Sequence, residues 1–494
     1  MKVEANGEFR SSDKFLSELR ESLAKRLLKA QDGLINDELK LHRASVEKLA
    51  RDIVDFAEDI GVGVGLWTTY ERVNRRLFGT PLPLIVSPDN ASEGEPGLYL
   101  RLRHLLYVLY PRFVPDVIVP PENSDLACLA HGIADFLSKY AGRFPADSRA
   151  KALLDGPNQR GWEVKRKLVW LGTRSYLFQH FYEEYVVAMN DGKSLDLIGI
   201  TDDFVCQEHT AWSGLSAVDL LADVLDVAED RREEVRSWER RHAAPYRVVS
   251  ASSDALTLLN LVNDASYKVR IDADPAPFVK GIVVIGALAP WNGEWYWSGK
   301  QQLFEEGAVD SGKLKQLYLE KSPKIVYRYC PDRLEKARSA IRRHHQEFLE
   351  LHGSDFVIYS DGFKMAADWQ AQARRKFECL TVEEQQRFLR KHGLASYKPP
   401  INVPRDLLER RDGICVFSNP DFGQEVMQGF QSVRTGLEKK GKNLTADEQD
   451  YLRGWFESPS ISPEFIKRFV GEYGAQSILA AYCLSKNPEA YVLD

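Results

Sequence analysis

The sequence predicts a multidomain α+β protein with a helical N-terminal half, a small antiparallel β-barrel in the middle and an α+β C-terminal region. Three observations predict it. Apolar residues recur at three- and four-residue spacing through the first half. Five strand-sized runs crowd between residues 246 and 298. The last part twice sets a short β-run before a turn and a helix. The expected regions are residues 1–242, 243–304 and 305–494.

The first helix opens at Ser11, Ser12 and Asp13 and carries one apolar stripe, Leu16, Leu19, Leu23 and Leu27. A second begins near Asp37, with Val46, Leu49, Ile53, Phe56 and Ile60 as its stripe, so the two are expected to form a helical hairpin. Gly61, Gly63 and Gly65 follow a helix, whereas a nucleotide fingerprint follows a strand; a helix break or close packing is expected instead. Asp55, Glu58 and Asp59 face Arg72, Arg75 and Arg76 either as an internal ion-pair set or as a solvated face.

Acidic residues before a glycine-containing bend, then Gly65-Leu66-Trp67, Leu77-Phe78-Gly79 and Pro81-Leu82-Pro83-Leu84, resemble a bacterial family of uncharacterised proteins. The likeness covers roughly the first 140 residues. It implies a helical N-terminal region and lends no activity and no site residues.

Further helices are expected over residues 97–110 and 124–140. One long helix over 162–189 is crowded with Trp170, Tyr176, Phe178, Phe181, Tyr182 and Tyr185, the mark of a buried helix. Two constellations carry potential chemistry. Asp155 with Glu163 and Lys165 matches the acid–acid–lysine order of metal-dependent nucleases, but those residues belong on neighbouring strands and here run from loop into helix. Asp202, Asp203, Cys206, Glu208 and His209 offer metal-ligand types, yet Thr201 and the two aspartates equally suit a helix start. No metal site is expected. Residues 228–242 alternate in charge sign, as a solvated helix face does.

The barrel is expected from the runs 246–249, 256–262, 267–271, 279–288 and 295–298, with Asn292-Gly293 as a hairpin turn. The pattern resembles SH3-like barrels, which implies a fold and no activity. Alternation sends Trp295 and Trp297 to one face and Tyr296 to the other. In the cluster with Trp291, the indoles either plug the barrel or seal it against a neighbouring helix, or else form an aromatic platform for a peptide, base or cationic ligand.

Beyond it, residues 312–352 are locally basic, and the helix from Asp332 carries Arg338, Arg342 and Arg343 as a candidate phosphate- or acid-binding face. Its two adjacent histidines, His344 and His345, lack the H-E-x-x-H spacing. Strands are expected at 356–359 and 414–417, with helices at 365–377 and 424–437. Thr381 with Glu384 and Thr445 with Glu448 have capping-box spacing, which hints at an internal duplication. An apolar helix is expected around residues 478–484.

The chain has 494 residues, 44% apolar and 28% charged, enough for large cores without staples. A net charge of −6 argues against general nucleic-acid binding by the whole molecule and leaves local basic patches open. Six scattered cysteines without a C-x-x-C pair exclude a zinc ribbon and argue against a disulfide framework. No secretory signal is expected from the polar start, and no apolar run approaches the roughly 18 residues of a bilayer span. These features lead to the expectation of a cytoplasmic, non-catalytic interaction or adaptor protein with a protein partner, no cofactor and no membrane. The alternatives are a nucleic-acid-associated protein using the basic helix and the Trp cluster, and an enzyme whose site is assembled from distant residues.

Overall fold

The computed structural model describes residues 10–86, 94–114, 119, 123–190, 192, 196–271, 277–321, 331–399, 403–441, 443–458 and 460–475. The chain divides into two compact units, whose main segments are Met1–Leu334 and Glu335–Tyr482. Cys330, Cys483 and the helix expected near 478–484 lie outside the described residues.

Among the described residues of the first unit, eleven α-helices precede the barrel: α1 Ser11–Ala30, α2 Arg43–Val62, α3 Leu66–Phe78, α4 Leu98–Leu109, α5 Ser124–Leu137, α6 Arg149–Leu154, α7 Gly161–Arg174, α8 Gln179–Met189, α9 Leu197–Gln207, α10 Ala217–Val224 and α11 Glu229–Arg236. The leucine stripe of α1 and the stripe of α2 pack together, each residue from Leu16 to Leu27 and from Val46 to Phe56 in those stripes being buried. The second helix starts later than Asp37 because Asp37–Leu39 forms only a short 3-10 turn.

The glycines act as expected. Gly63 ends α2 at φ 66° and Gly65 precedes α3 at φ 99°, while a Cβ on Gly61 would sit 2.6 Å from the Phe144 ring. The acids before them are neither a solvated face nor a set facing the α3 arginines. All three are buried. Asp55 meets Arg20 at 2.7 Å and Glu58 accepts from the Ser148 hydroxyl at 2.7 Å. Asp59 accepts from the backbone N–H groups of Gly65, Leu66 and Trp67 and from the Tyr176 hydroxyl at 2.7–3.0 Å. Arg72 and Arg76 turn instead to the backbone carbonyl and carboxylate of Asp223.

The expected helix over 162–189 is two helices. Between α7 and α8 the chain bends at Ser175–Phe178, where the Ser175 hydroxyl bonds back to the Leu171 carbonyl and Tyr176 reaches Asp59. A hydroxyl competing for the helix carbonyls, and a buried partner for Tyr176, outweigh the continuity of the apolar pattern.

The barrel strands are β1 Ala243–Ala251, β2 Ala255–Asn260, β3 Ser266–Arg270, β4 Val283–Trp291 and β5 Glu294–Phe304, closed in the order β1-β2-β3-β5-β4. The expected small five-stranded barrel is therefore present. Four of its pairings are antiparallel, but β3 and β5 touch in parallel at Val269 and Trp295. After β3 the chain returns on the free side of β1, so β4 pairs with β1, and the hairpin at Asn292-Gly293 then brings β5 beside β3. The barrel is thus as expected in size and strand number, but this Greek-key order is that of OB-type barrels and departs from the SH3-like pattern, because β4 rather than β5 closes on β1. Asn292 and Gly293 have φ of 55° and 74°, as a tight hairpin turn requires. Helix α12, Ser311–Lys321, packs Tyr318 and Leu319 against the barrel core.

The second unit is built from α13 Pro331–His352, which begins just before the boundary, β6 Phe356–Tyr359, α14 Gly362–Glu378, α15 Val382–His392, α16 Arg405–Leu408, β7 Ile414–Asn419, β8 Gly423–Gln428, α17 Phe430–Glu438, α18 Ala446–Glu457 and α19 Pro463–Glu472. Its antiparallel sheet runs β6-β7-β8. Ile414 and Val416 face a core with Phe348, Tyr359 and Met365, and Phe417 faces the opposite way, 4.9 Å from the Phe465 ring.

The helix expected over 424–437 is half strand. Asn419 accepts from the N–H groups of Asp421 and Phe422, closing a hairpin that makes residues 423–428 pair with β7. Both capping boxes form, at Thr381 with Glu384 and at Thr445 with Glu448. The extra strand after β7 has no counterpart after β6, so the two halves of the suspected duplication differ in architecture.

Candidate functional site

Three places gather chemistry-bearing side chains, and they differ in whether any of that chemistry is left open.

The first is the seam between helices and barrel. Trp291 is 2% exposed, and its indole N–H donates to the Asn158 carbonyl at 2.9 Å. Asn158 is itself fixed by Lys167, whose ammonium is surrounded by the carbonyls of Leu154 and Gly156 and the Asn158 amide oxygen. Burial among neutral acceptors lowers the Lys167 pKa to about 8. Trp238 donates to the Pro290 carbonyl at 2.7 Å, and Gly161 leaves room for the Tyr296 ring, which a Cβ there would meet at 2.7 Å. Ala289, Trp291 and Tyr296 belong to the helical core.

The same seam joins parts of the two constellations that the sequence keeps apart. Lys165 of α7 meets Asp202 of α9 at 2.9 Å and lies 3.7 Å from the Cys206 sulfur. Arg241 reaches Asp202 at 3.1 Å and Asp203 at 3.0 Å, and donates to the Ser298 hydroxyl of β5 at 2.9 Å. Gly299 (φ 87°) permits this approach, since a Cβ there would lie 2.6 Å from Asp202. Burial pushes the Cys206 thiol up, so it stays protonated and a poor nucleophile.

The remaining members are engaged elsewhere. Glu163 accepts from the N–H of Arg160 at the start of α7, and a ring nitrogen of His209 meets the Gly214 carbonyl at 2.8 Å. Among the described residues no group of three or more His, Cys, Asp or Glu side chains is placed to hold a metal ion. Lys165 thus ties α7 to α9, and Asp202 and Arg241 tie α9 to the barrel through Ser298; neither nuclease nor metal geometry is formed among these described residues.

Trp295 and Trp297 point into the barrel, as alternation requires. Trp295 packs edge-on against Tyr267 at 4.8 Å, and Trp297 lies between Tyr246 and Phe278. Of the alternatives weighed, sealing against the helices describes Trp291, which offers no face to a ligand, and the other two, partly buried, pack against the barrel core.

The second place was not singled out from sequence. The Tyr70 hydroxyl lies 2.7 Å from His104 Nε2 and 2.9 Å from the Ser213 hydroxyl, with Ser213 strained at φ 53°. A serine, a tyrosine and a histidine in a line evoke a nucleophile relay, but all three are 1% exposed or less. Burial holds the His104 pKa at about 3, so the imidazole is neutral. No substrate reaches this line. The Trp-Ser-Gly at 212–214 was its only local sequence signal.

The third place lies wholly within the second unit. A groove of about 890 Å³ is walled by α13 and α14 and ends on the sheet at Ser418 and Gln424. Phe348, Leu351, Trp369 and Ala373 make it apolar within; His344, His345, Arg375, Lys376 and Cys379 edge it. His345 Nδ1 lies 3.1 Å from the Ser418 hydroxyl, and Lys376 pairs with Glu347, which holds that carboxyl below its usual range. Beneath, Tyr359 and Gln372 both donate to Asp368, at 2.5 and 3.0 Å. The basic helix of the sequence reading is α13 itself. Arg338, Arg342 and Arg343 are exposed on it, Arg343 loosely paired with Glu347 at 3.9 Å. The helix was legible; the groove was not, because α14 forms its other wall.

Residues 20–194 match the family described as Protein of unknown function (DUF3843), the N-terminal region in which the likeness was seen. No curated protein and no solved structure matches the chain.

Proposed function

We propose that this is a non-catalytic interaction protein of a bacterial cytoplasmic system, and that the groove between α13 and α14 is where it holds a protein partner. The groove carries the reading: it is an open concavity with an apolar interior and a polar edge, the anatomy of a binding site. The two other clusters described above are engaged within the fold. The Lys165–Asp202–Arg241 set ties barrel to helices, and the Ser213–Tyr70–His104 line is sealed. Four described cysteines are free thiols, in keeping with a reducing compartment. The bacterial assignment rests on the likeness of the N-terminal region alone.

The test is affinity capture from the native host with wild-type protein and with Ala373→Arg, before and after nuclease treatment. A stoichiometric protein that survives nuclease and is lost with Ala373→Arg supports the reading. Capture that ignores the substitution removes the groove from it, and capture abolished by nuclease removes the protein partner.

A second reading, nucleic-acid association, draws on the exposure of Arg338, Arg342 and Arg343. It lacks the aromatic half of its original support, since the indoles of the Trp cluster serve the barrel core and the seam. Binding of RNA or DNA that weakens steeply with salt, and further with Arg342→Glu, would favour it.

A further inference from the structure

We infer that the groove takes a short segment of a partner protein with carboxylates on one side of an apolar anchor, an inference that rests on the interaction reading above. The two groove helices fix a direction. Lys376 of α14 pairs with Glu347 of α13, while Gln372, one turn earlier on α14, lies 3.1 Å from His352, later on α13. The helices therefore run antiparallel, and the groove has two chemically different ends.

At one end stand His344 of α13 and Arg375 and Lys376 of α14. The acid there, Glu347, is neutralised by Lys376. Arg375 lines the groove, exposed, and has no carboxylate partner among the described residues. At the other end lie Leu351, Trp369 and Glu350.

An occupant that complements both ends places its acids near Arg375 and His344 and its apolar side chain over Leu351 and Trp369. Arginine forks suit carboxylates, and a buried apolar anchor supplies the affinity that exposed ion pairs do not. A nucleic-acid strand fits less well. Its phosphates would run on past Glu350, and stacking needs open aromatic faces, whereas Phe348 is 2% exposed.

The test selects a displayed library of short random peptides on the full-length protein. Enriched peptides are expected to cluster Asp or Glu to one side of Leu, Phe or Trp. A representative peptide should bind about tenfold more weakly to Arg375→Glu and to Leu351→Arg, as read by fluorescence polarisation. Because Leu351→Arg could disturb folding, alkylating Cys379 with a bulky maleimide, in a chain with Cys128, Cys330 and Cys483 changed to Ser, blocks the same groove in an otherwise intact protein; it should abolish binding.

Enriched peptides that lack acids yet lose binding on Cys379 alkylation overturn the acidic occupant and leave the groove as an interaction site. Peptides indifferent to both substitutions and to alkylation, or no enrichment, overturn the occupant and the groove together. Self-association of the chain that is lost with Leu351→Arg would overturn the partner segment in favour of a second copy.

Discussion

The helix–barrel seam and the groove of the second unit are built from similar side chains, with opposite outcomes. Both contain tryptophan, lysine or arginine, carboxylates and a cysteine. At the seam every such group meets a partner within the fold: Trp291 meets Asn158, Arg241 meets Asp202 and Ser298, and Lys165 meets Asp202. In the groove Lys376 and His345 are paired, while Arg375 and the edge of Trp369 face open space. Residue type therefore says little about function here; internal satisfaction says more. A buried polar group without a partner is costly, so a seam must be complete, whereas a binding surface can leave groups for its ligand.

The sharpest break in that contrast is expected at the seam. Trp291→Ala should cost about 3–5 kcal/mol, because it opens a cavity and leaves the Asn158 carbonyl unpaired. Arg241→Met should cost less, about 1.5–3 kcal/mol, because it removes the charged hydrogen bonds to Asp202 and Ser298 while Lys165 still pairs with Asp202. Urea unfolding followed by tryptophan fluorescence reads both; a change below about 1 kcal/mol in either would mean the barrel is not welded to the helices.

Acid pH should act next on the sealed line. Burial lowers the His104 pKa from 6.5 to about 3, so below pH 6.5 the unfolded chain binds a proton that the folded one refuses. Stability contributed by this group is full above pH 6.5 and is lost as pH falls toward 3, at up to about 1.4 kcal/mol per pH unit. Unfolding free energies of wild type and His104→Asn, compared between these pH values, should converge as the pH falls. Parallel curves would show that His104 titrates normally.

Inside the barrel, Trp297→Ala should cost less than Trp291→Ala, about 2 kcal/mol, since the ring is only partly buried. An equal or larger cost would place it deeper in the core than its exposure implies. Thr445→Ala removes one capping hydrogen bond, to the Glu448 N–H, and should lower stability by about 1 kcal/mol. The smallest effect belongs to the groove. Arg375→Glu should shift stability by no more than about 0.5 kcal/mol while changing binding, the reverse of the seam substitutions. A large destabilisation would mean that Arg375 is a structural residue after all.

Local pattern was a sound guide wherever one element sufficed. The stripes of α1 and α2, the five barrel strands, the Asn292-Gly293 hairpin, the helix break at Gly63 and Gly65 and both capping boxes could be read because spacing and turn chemistry act over a few residues. The misreadings came where a distant partner overruled the local pattern. Tyr176, drawn to Asp59, split one expected helix, and pairing with β7 turned the start of another into β8.

What the sequence determined by itself, then, is the class of each region and the positions of the Trp cluster and the basic helix α13. Tertiary structure alone decided what those features are for. It buried Trp291 and turned Trp295 and Trp297 into the barrel, joined Lys165 to Asp202 across 37 positions, and set α14 against α13 to make a groove. The physical reason is that a side chain becomes structure or site according to whether the folded chain satisfies it, and its partners come from segments whose pairing no local spacing encodes.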